Sequence, residues 1–270
     1  MNLASQPAAS PRPGPQSAGD FAARTGAALV LGASGALGTA IATMLLARGS
    51  RVAMTYRRAS PHLSELASDQ AGLARAYQLD LTDQAACAQV VARAAADFGG
   101  VHTAVYASGP HVPMTHLSKV APETFRTQME HDAIAFFNAI VPVLPLLRAS
   151  HGNLVAVTTA ATTRYPVRDG LSSIPKAAVE AAVRGIAAEE GRFGVRANCV
   201  GPGMLADGMA ARLIADGDLD ERALEVARKN IALRRFGTAA DIAEAVCFLA
   251  SDRAAFISGQ KLDVDGGYGV

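Results

Sequence analysis

From residue 27 onward, short apolar runs alternate with longer segments of helical periodicity, and this alternation constrains the fold more than any other feature. The runs at Ala27–Leu31 (AALVL), 51–56 (RVAMTY), 73–79, Val101–Tyr106 (VHTAVY), 153–158 (NLVAVT), 195–199 (VRANC) and Lys261–Val264 read as strands. Helical patterns fill Ala36–Ala47, 82–98, 122–147, 172–190, 204–230 and Ala239–Ala250. Most runs are apolar at successive positions, so both faces of the sheet must be covered. Strands joined through helices lie parallel, with right-handed crossovers. The expected fold is α/β: a single Rossmann-type doubly wound domain, with a parallel sheet of about seven strands flanked by helices. The stretch 122–147 is expected to kink near Pro142 and Pro145.

A chain of 270 residues, half of them apolar, can bury one large core. A net charge of +1 offers little to a polyanion, and a chain with few aromatics and no Trp lacks a stacking platform, so nucleic acid is not an expected partner. Cys87, Cys199 and Cys247 lie far apart without metal-ligand spacing; they read as small buried residues in a reducing compartment, and no metal is expected. Residues 1–26 are rich in Pro, Ala, Ser and Gly and lack a signal peptide's apolar core. They read as a disordered tail ahead of a domain spanning 27–270. No apolar run approaches the roughly 18–20 residues that span a bilayer, so no membrane contact and a cytoplasmic location are expected.

Gly32–Gly38 reads GASGALG and joins the first strand to the first helix. Glycines there allow a tight turn and close approach of backbone to a pyrophosphate, which then sits on the helix N-terminus. The end of the second strand faces the adenosine ribose in this architecture. An acid there would bind the 2′-hydroxyl of NAD, whereas arginine favours the 2′-phosphate of NADP. Positions 51–61 hold no Asp or Glu, while Arg57 and Arg58 stand at the strand's end, which favours NADP(H) over NAD(H) unless the two are merely solvated surface arginines. Asp80, in LDLTD, either holds the adenine amino group or caps the next helix, a role open equally to Thr82.

These motifs together resemble the short-chain dehydrogenase/reductase family, whose members include the β-ketoacyl-carrier-protein reductases. GASGALG is similar to the family's Gly-x-x-x-Gly-x-Gly turn, with an extra glycine at Gly35. LDLTD resembles its adenine-contacting segment, YASGP its Asn-Asn-Ala-Gly segment with only Gly109 matching, and VRANCVGPG its Val-Arg-Val-Asn-x-x-x-Pro-Gly segment. RRFGTAADIAEAVCFLASDRAAFISGQKLDVDGG is similar to the C-terminal stretch almost throughout, and the likeness covers roughly residues 25–270. It implies cofactor contacts at Gly32, Ser34, Gly35, Leu37, Gly38, Arg57, Arg58, Asp80, Leu81, Ala107, Gly109, Lys176, Pro202 and Gly203. It also implies a homodimer or homotetramer.

Members of the family reduce a carbonyl. A tyrosine four residues before a lysine gives the proton, a serine positions the carbonyl oxygen, and an asparagine supports a proton relay. Here the lysine is Lys176, Ser172 stands at the tyrosine, Thr159 at the serine and Asp132 at the asparagine. Thr159 keeps a hydroxyl. Ser172 keeps one too, but an alkyl hydroxyl is shorter and a far weaker acid than a phenol of pKa about 10. Tyr165, on the loop after the fifth strand, is either a replacement acid or a loop aromatic. His131 beside Asp132 either relays protons or packs or points to solvent, and His111 and His116, in the variable loop after the fourth strand, either touch substrate or play no catalytic part. Asp207 falls where a threonine often meets the carboxamide; an anion there would either repel phosphate or bind the amide. Enoyl-thioester reducers place their tyrosine seven residues before the lysine, which here is Asp169, so that variant is not supported.

Three functions are compatible with this pattern. The first is an NADPH-dependent oxidoreductase that reduces a ketone or ketoacyl substrate, acyl thioesters included, with a non-standard proton donor. The second is an inactive NADP(H)-binding scaffold or sensor. The third is a lyase or isomerase on the same fold, with Asp132 and Lys176 abstracting a proton.

Overall fold

In strand β1 (Ala27–Leu31) all five residues are buried. Because successive side chains in a strand point to opposite faces, Ala27, Leu29 and Leu31 enter one apolar cluster and Ala28 and Val30 the other. Each fully buried Leu or Val contributes roughly 1.5–3 kcal/mol. A sheet packed on both sides is thereby fixed in place. The computed structural model describes residues 19–58, 60–110, 112–206 and 221–270.

The remaining strands are β2 (Val52–Tyr56), β3 (Ala74–Gln78), β4 (Val101–Tyr106), β5 (Asn153–Val157), β6 (Arg196–Pro202) and β7 (Lys261–Val264). They form one seven-stranded sheet in the order β3-β2-β1-β4-β5-β6-β7, with every pairing parallel. Helix α1 (Ala36–Ala47) covers one face together with the C-terminal helix Ala239–Ala250. The other face carries α3 (Gln84–Phe98), the helical stretch Pro122–Ser150 and the long helix Gly170–Glu190. Helix α2 (Pro61–Asp69) follows β2. The chain runs outward from β1 through β2 to β3, then returns to place β4 on the other side of β1. The C-terminal ends of β1 and β4 therefore diverge, which opens the crevice where ligands bind in such sheets.

Four expectations need correction. Gly19–Gly26, read as the end of a tail, belongs to the domain: Phe21 is fully buried, its ring stacks on that of His102 at 6.1 Å, and Asp20 pairs with Arg48 at 3.1 Å. Average composition hid one apolar anchor. The stretch 122–147 breaks at Pro142 as expected, and once more ahead of either proline. It runs as α4 (Pro122–Met129), a π turn over Glu130–Ile134, α5 (Ala135–Ile140), a 3-10 turn at Pro142 and α6 (Leu144–Ser150). That same stretch is long and apolar enough to cross a bilayer, contrary to expectation, although here Phe136, Ile140 and Leu147 pack into the core. Finally, α7 (Gly170–Glu190) starts two residues before Ser172, which places this serine in the first helical turn.

Of the helical region 204–230, the described part holds α8 (Glu221–Lys229). Asp207 and His111 lie outside the described residues. Helix α9 (Ala239–Ala250) starts with a capping box between Thr238 and Asp241.

Candidate active site

The turn after β1 is made of backbone. Gly32 sits at φ +91°, and a Cβ there would come within 2.9 Å of Ser108. A Cβ on Gly38 would lie 2.2 Å from the Gly32 carbonyl oxygen. Gly35, at the N-cap of α1, has open space instead. The Gly32 amide donates to Thr55 Oγ1 at 3.1 Å, and the Ala33 amide to the Thr55 carbonyl at 2.8 Å, so β2 holds the turn in place. Ser34 and Gly35 are exposed and Leu37 half-buried at the start of α1. No side-chain cap is made at Gly35, and the first amides of a helix left without an intrahelical partner favour an anion.

Beyond β2, Arg57 and Arg58 are exposed, and neither guanidinium has a hydrogen bond or ion pair with a described residue. Asp80 neither caps α3 nor stands free. Its Oδ1 accepts from the amide of Thr82 at 3.0 Å and from its hydroxyl at 2.8 Å, which holds the carboxyl below its usual range. The cap is Asp83, accepting from the Ala86 amide at 2.9 Å. The carbonyl of buried Leu81 accepts from Asn138 at 3.3 Å.

At the far end of the crevice a cavity of about 590 Å³ opens beyond β4, β5 and β6. Ala107, Gly109, Asp132, Thr159, Ser172, Lys176, Pro202 and Gly203 all line it, as do Gly35 and Leu37 from the turn. Lys176 is 8% exposed, and its Nζ donates to Asp132 Oδ1 and to the Ser108 carbonyl, both at 2.9 Å. These are its two acceptors among the described residues, so the third N–H remains for the cavity. Asp132 is 2% exposed and sits in the π turn. A π turn loosens the regular ladder, and here the carbonyl of Asp132 accepts from the hydroxyl of Tyr106 at 3.0 Å. Burial pushes that phenol well above its ordinary pKa, so Tyr106 braces the turn and is no acid. Ion pairs this deep are strongly coupled, since either charge alone would be costly.

Thr159 accepts from the Ala161 amide at 3.1 Å, which leaves its hydroxyl proton to donate. Ser172 stands one turn before Lys176 on the same face; its amide donates to the Asp169 carbonyl at 3.0 Å and its hydroxyl lies near the Asp169 carboxyl. Asp169 also lines the cavity, and burial lifts its pKa to about 6. The sequence had pointed to that position only as a missing tyrosine. A short polar pair at the mouth of a helix carries no periodic mark by which it could have been found.

The other candidates lie elsewhere. Tyr165 is 49% exposed, and its hydroxyl packs beside Gly170, outside the cavity wall. His131 bonds the Thr127 carbonyl of its own helix at 2.8 Å, and His116 is exposed outside the lining. Apolar side chains complete the wall, among them Val112, Met114, Met204, Leu205, Ile231 and Tyr268.

The profile of a family described as enoyl-(acyl carrier protein) reductase matches residues 32–269. The 3-oxoacyl-(acyl-carrier-protein) reductase FabG of Escherichia coli (strain K12) is 31% identical over 245 residues, covering 89% of this chain and 96% of that protein. The acetoacetyl-CoA reductase of Shinella zoogloeoides is 30% identical over 246 residues, covering 89% and 97%. A short-chain dehydrogenase/reductase from Serratia marcescens superposes with a TM-score of 0.82 over 92% of this chain and 100% of that one, at 24% identity, a likeness of fold.

Proposed function

The chain belongs to the short-chain dehydrogenase/reductase family of oxidoreductase enzymes, and from that premise we propose that it reduces a ketone or 3-oxoacyl carbonyl with NADPH. The observation that carries this reading is Lys176, held on the cavity wall by Asp132 and the Ser108 carbonyl with one N–H to spare. The residues present fit a dinucleotide. Gly32 and Gly38 close the turn so tightly that no Cβ is tolerated, and the first amides of α1 face the position of a pyrophosphate. When bound, the dihydronicotinamide supplies the hydride.

The chain's own groups then do three things. Lys176 holds the ribose with its remaining N–H. Thr159 donates its hydroxyl to the carbonyl oxygen, where negative charge develops. The apolar wall takes the rest of the substrate and excludes water. An acyl thioester suits that wall, and relatives named as 3-oxoacyl-(acyl-carrier-protein) and acetoacetyl-CoA reductases support this substrate class.

Arg57 and Arg58, exposed and with no side-chain hydrogen bond or ion pair among the described residues, support the preference for NADPH through its 2′-phosphate. The test is steady-state oxidation of NADPH and NADH with acetoacetyl thioesters and simple ketones. NADPH is expected to be preferred, and Arg57→Ala/Arg58→Ala should raise KM for NADPH about 10-fold or more while leaving NADH little changed. Equal use of both cofactors by the unmodified enzyme would overturn the preference. Absence of turnover despite NADPH binding would overturn the reductase. We also propose a homodimer or homotetramer, supported by the exposed apolar Ile134, Phe137 and Val141 on the outer helical layer.

A further inference from the structure

We propose that Asp169 is the acid that stands in for the missing phenol, delivering its proton to the substrate oxygen through the hydroxyl of Ser172. The inference rests on the reductase reading above. Geometry carries it. Asp169 stands at the N-cap of α7, where an aspartate ordinarily turns its carboxylate onto the first amides of the helix. Here it makes no capping bond: its backbone is out of the extended range that caps adopt, at φ −94° and ψ 14°, and its carboxyl lies near the hydroxyl of Ser172, one turn into the helix on the same cavity wall. Both residues line the same cavity as Lys176 and Thr159. The carboxyl, the serine hydroxyl and the ammonium thus lie along the N-terminal part of α7, beside the threonine that receives the carbonyl oxygen.

The charged groups around Asp169 are spoken for. Arg168, its neighbour, turns its guanidinium to the Met114 carbonyl at 2.6 Å. Lys176 is engaged by Asp132 from the π turn at 2.9 Å, and the hydroxyl of Tyr165 lies by Gly170. With no cation against it, the partly buried carboxyl is pushed up to about 6, within reach of neutral pH, whereas a serine alone is far too weak an acid.

The step balances as follows. The carbonyl carbon gains a hydride from the dihydronicotinamide, and the C=O π pair moves to oxygen. That oxygen takes the Ser172 hydroxyl proton as Ser172 Oγ takes the carboxyl proton of Asp169. The products are the alcohol, the oxidised cofactor and the Asp169 carboxylate, which regains its proton from water. In the oxidative direction the carboxylate acts as base by the same route.

The experiment compares the full-length enzyme with Asp169→Asn, Asp169→Glu and Ser172→Ala. It reads NADPH affinity, carbonyl reduction from pH 5 to 9, and the infrared C=O band of a protonated carboxyl in wild type minus Asp169→Asn. Asp169→Asn should bind NADPH normally, lose at least about 100-fold in kcat, and lose both the pH inflection near 6 and the infrared band that titrates with it. Asp169→Glu should recover part of the rate with a displaced inflection. Ser172→Ala should lose at least about 10-fold with NADPH affinity intact. If Asp169→Asn keeps the wild-type rate and profile, the proposal is overturned while the reductase stands. A dead Asp169→Asn beside a fully active Ser172→Ala overturns the route through the serine. A wild-type enzyme that binds NADPH but reduces no carbonyl overturns both readings together.

Discussion

At the end of β1 the crevice is shaped by backbone: Gly32 and Gly38 let two turns of chain touch, and Thr55 of β2 ties them down. At the other end it is shaped by side chains. Lys176 from α7, Asp132 from the π turn and the Ser108 carbonyl after β4 meet within hydrogen-bond distance, although they come from three separate elements. The first end tolerates change in every side chain that points away from the turn, but tolerates none that adds an atom at two glycines. The second depends on which side chains those elements carry and on whether their charges and hydrogen bonds close, as the bonds of Lys176 to Asp132 and to the Ser108 carbonyl do.

The sharpest way to break the side-chain end is Lys176→Met. It strands the Asp132 carboxylate in a buried site, and such uncompensated charges cost about 3–5 kcal/mol. Asp132→Asn still offers the ammonium an oxygen and should cost less. Urea unfolding of both variants measures the gap, and equal losses would show that the ion pair is not the feature that holds this end together. At the backbone end, Gly38→Ala forces a Cβ to 2.2 Å from the Gly32 oxygen and 2.7 Å from Ala33 Cα, backbone atoms that yield only by moving the turn. A loss of ~1–3 kcal/mol is expected, with much weaker NADPH binding. Gly35→Ala, whose Cβ would meet nothing nearer than 3.8 Å, should stay within ~0.5 kcal/mol. Equal destabilisation by the two substitutions would refute the steric account.

The same contrast explains what could be read from the residues alone. The seven parallel strands were legible because burial on both faces leaves unbroken apolar runs such as AALVL and VHTAVY. The nucleotide turn was legible because closing backbone on backbone demands glycine at fixed spacing. The Asp132–Lys176 pair was visible only as two residues 44 positions apart, and their direct bond depends on a π turn that no periodicity announces. Asp169 carries no sequence mark, because its carboxyl acquires a role only where the fold brings it beside the Ser172 hydroxyl on the cavity wall. Phe21 was lost in a Pro- and Ala-rich average although it fills the core.

The smallest effect separates function from stability at Asp169 itself. Its carboxyl titrates near 3.8 in the unfolded chain and at about 6 in the fold, raised by burial. The folded state therefore holds the proton more tightly, and stability is lost as pH rises from the first value through the second. Two pKa units would amount to about 3 kcal/mol, but Asp169 is only partly buried, and solvent screening leaves ~1–2 kcal/mol. Asparagine has no such titration. Asp169→Asn should then melt a few degrees above wild type at pH 8, at roughly 2–4 °C per kcal/mol for a chain of this size, and at the same temperature below pH 4. Thermal melts of the two proteins at both pH values check this. A gain that is equal at the two would mean that the carboxyl is not held protonated by burial, and with that the cavity would lose its acid.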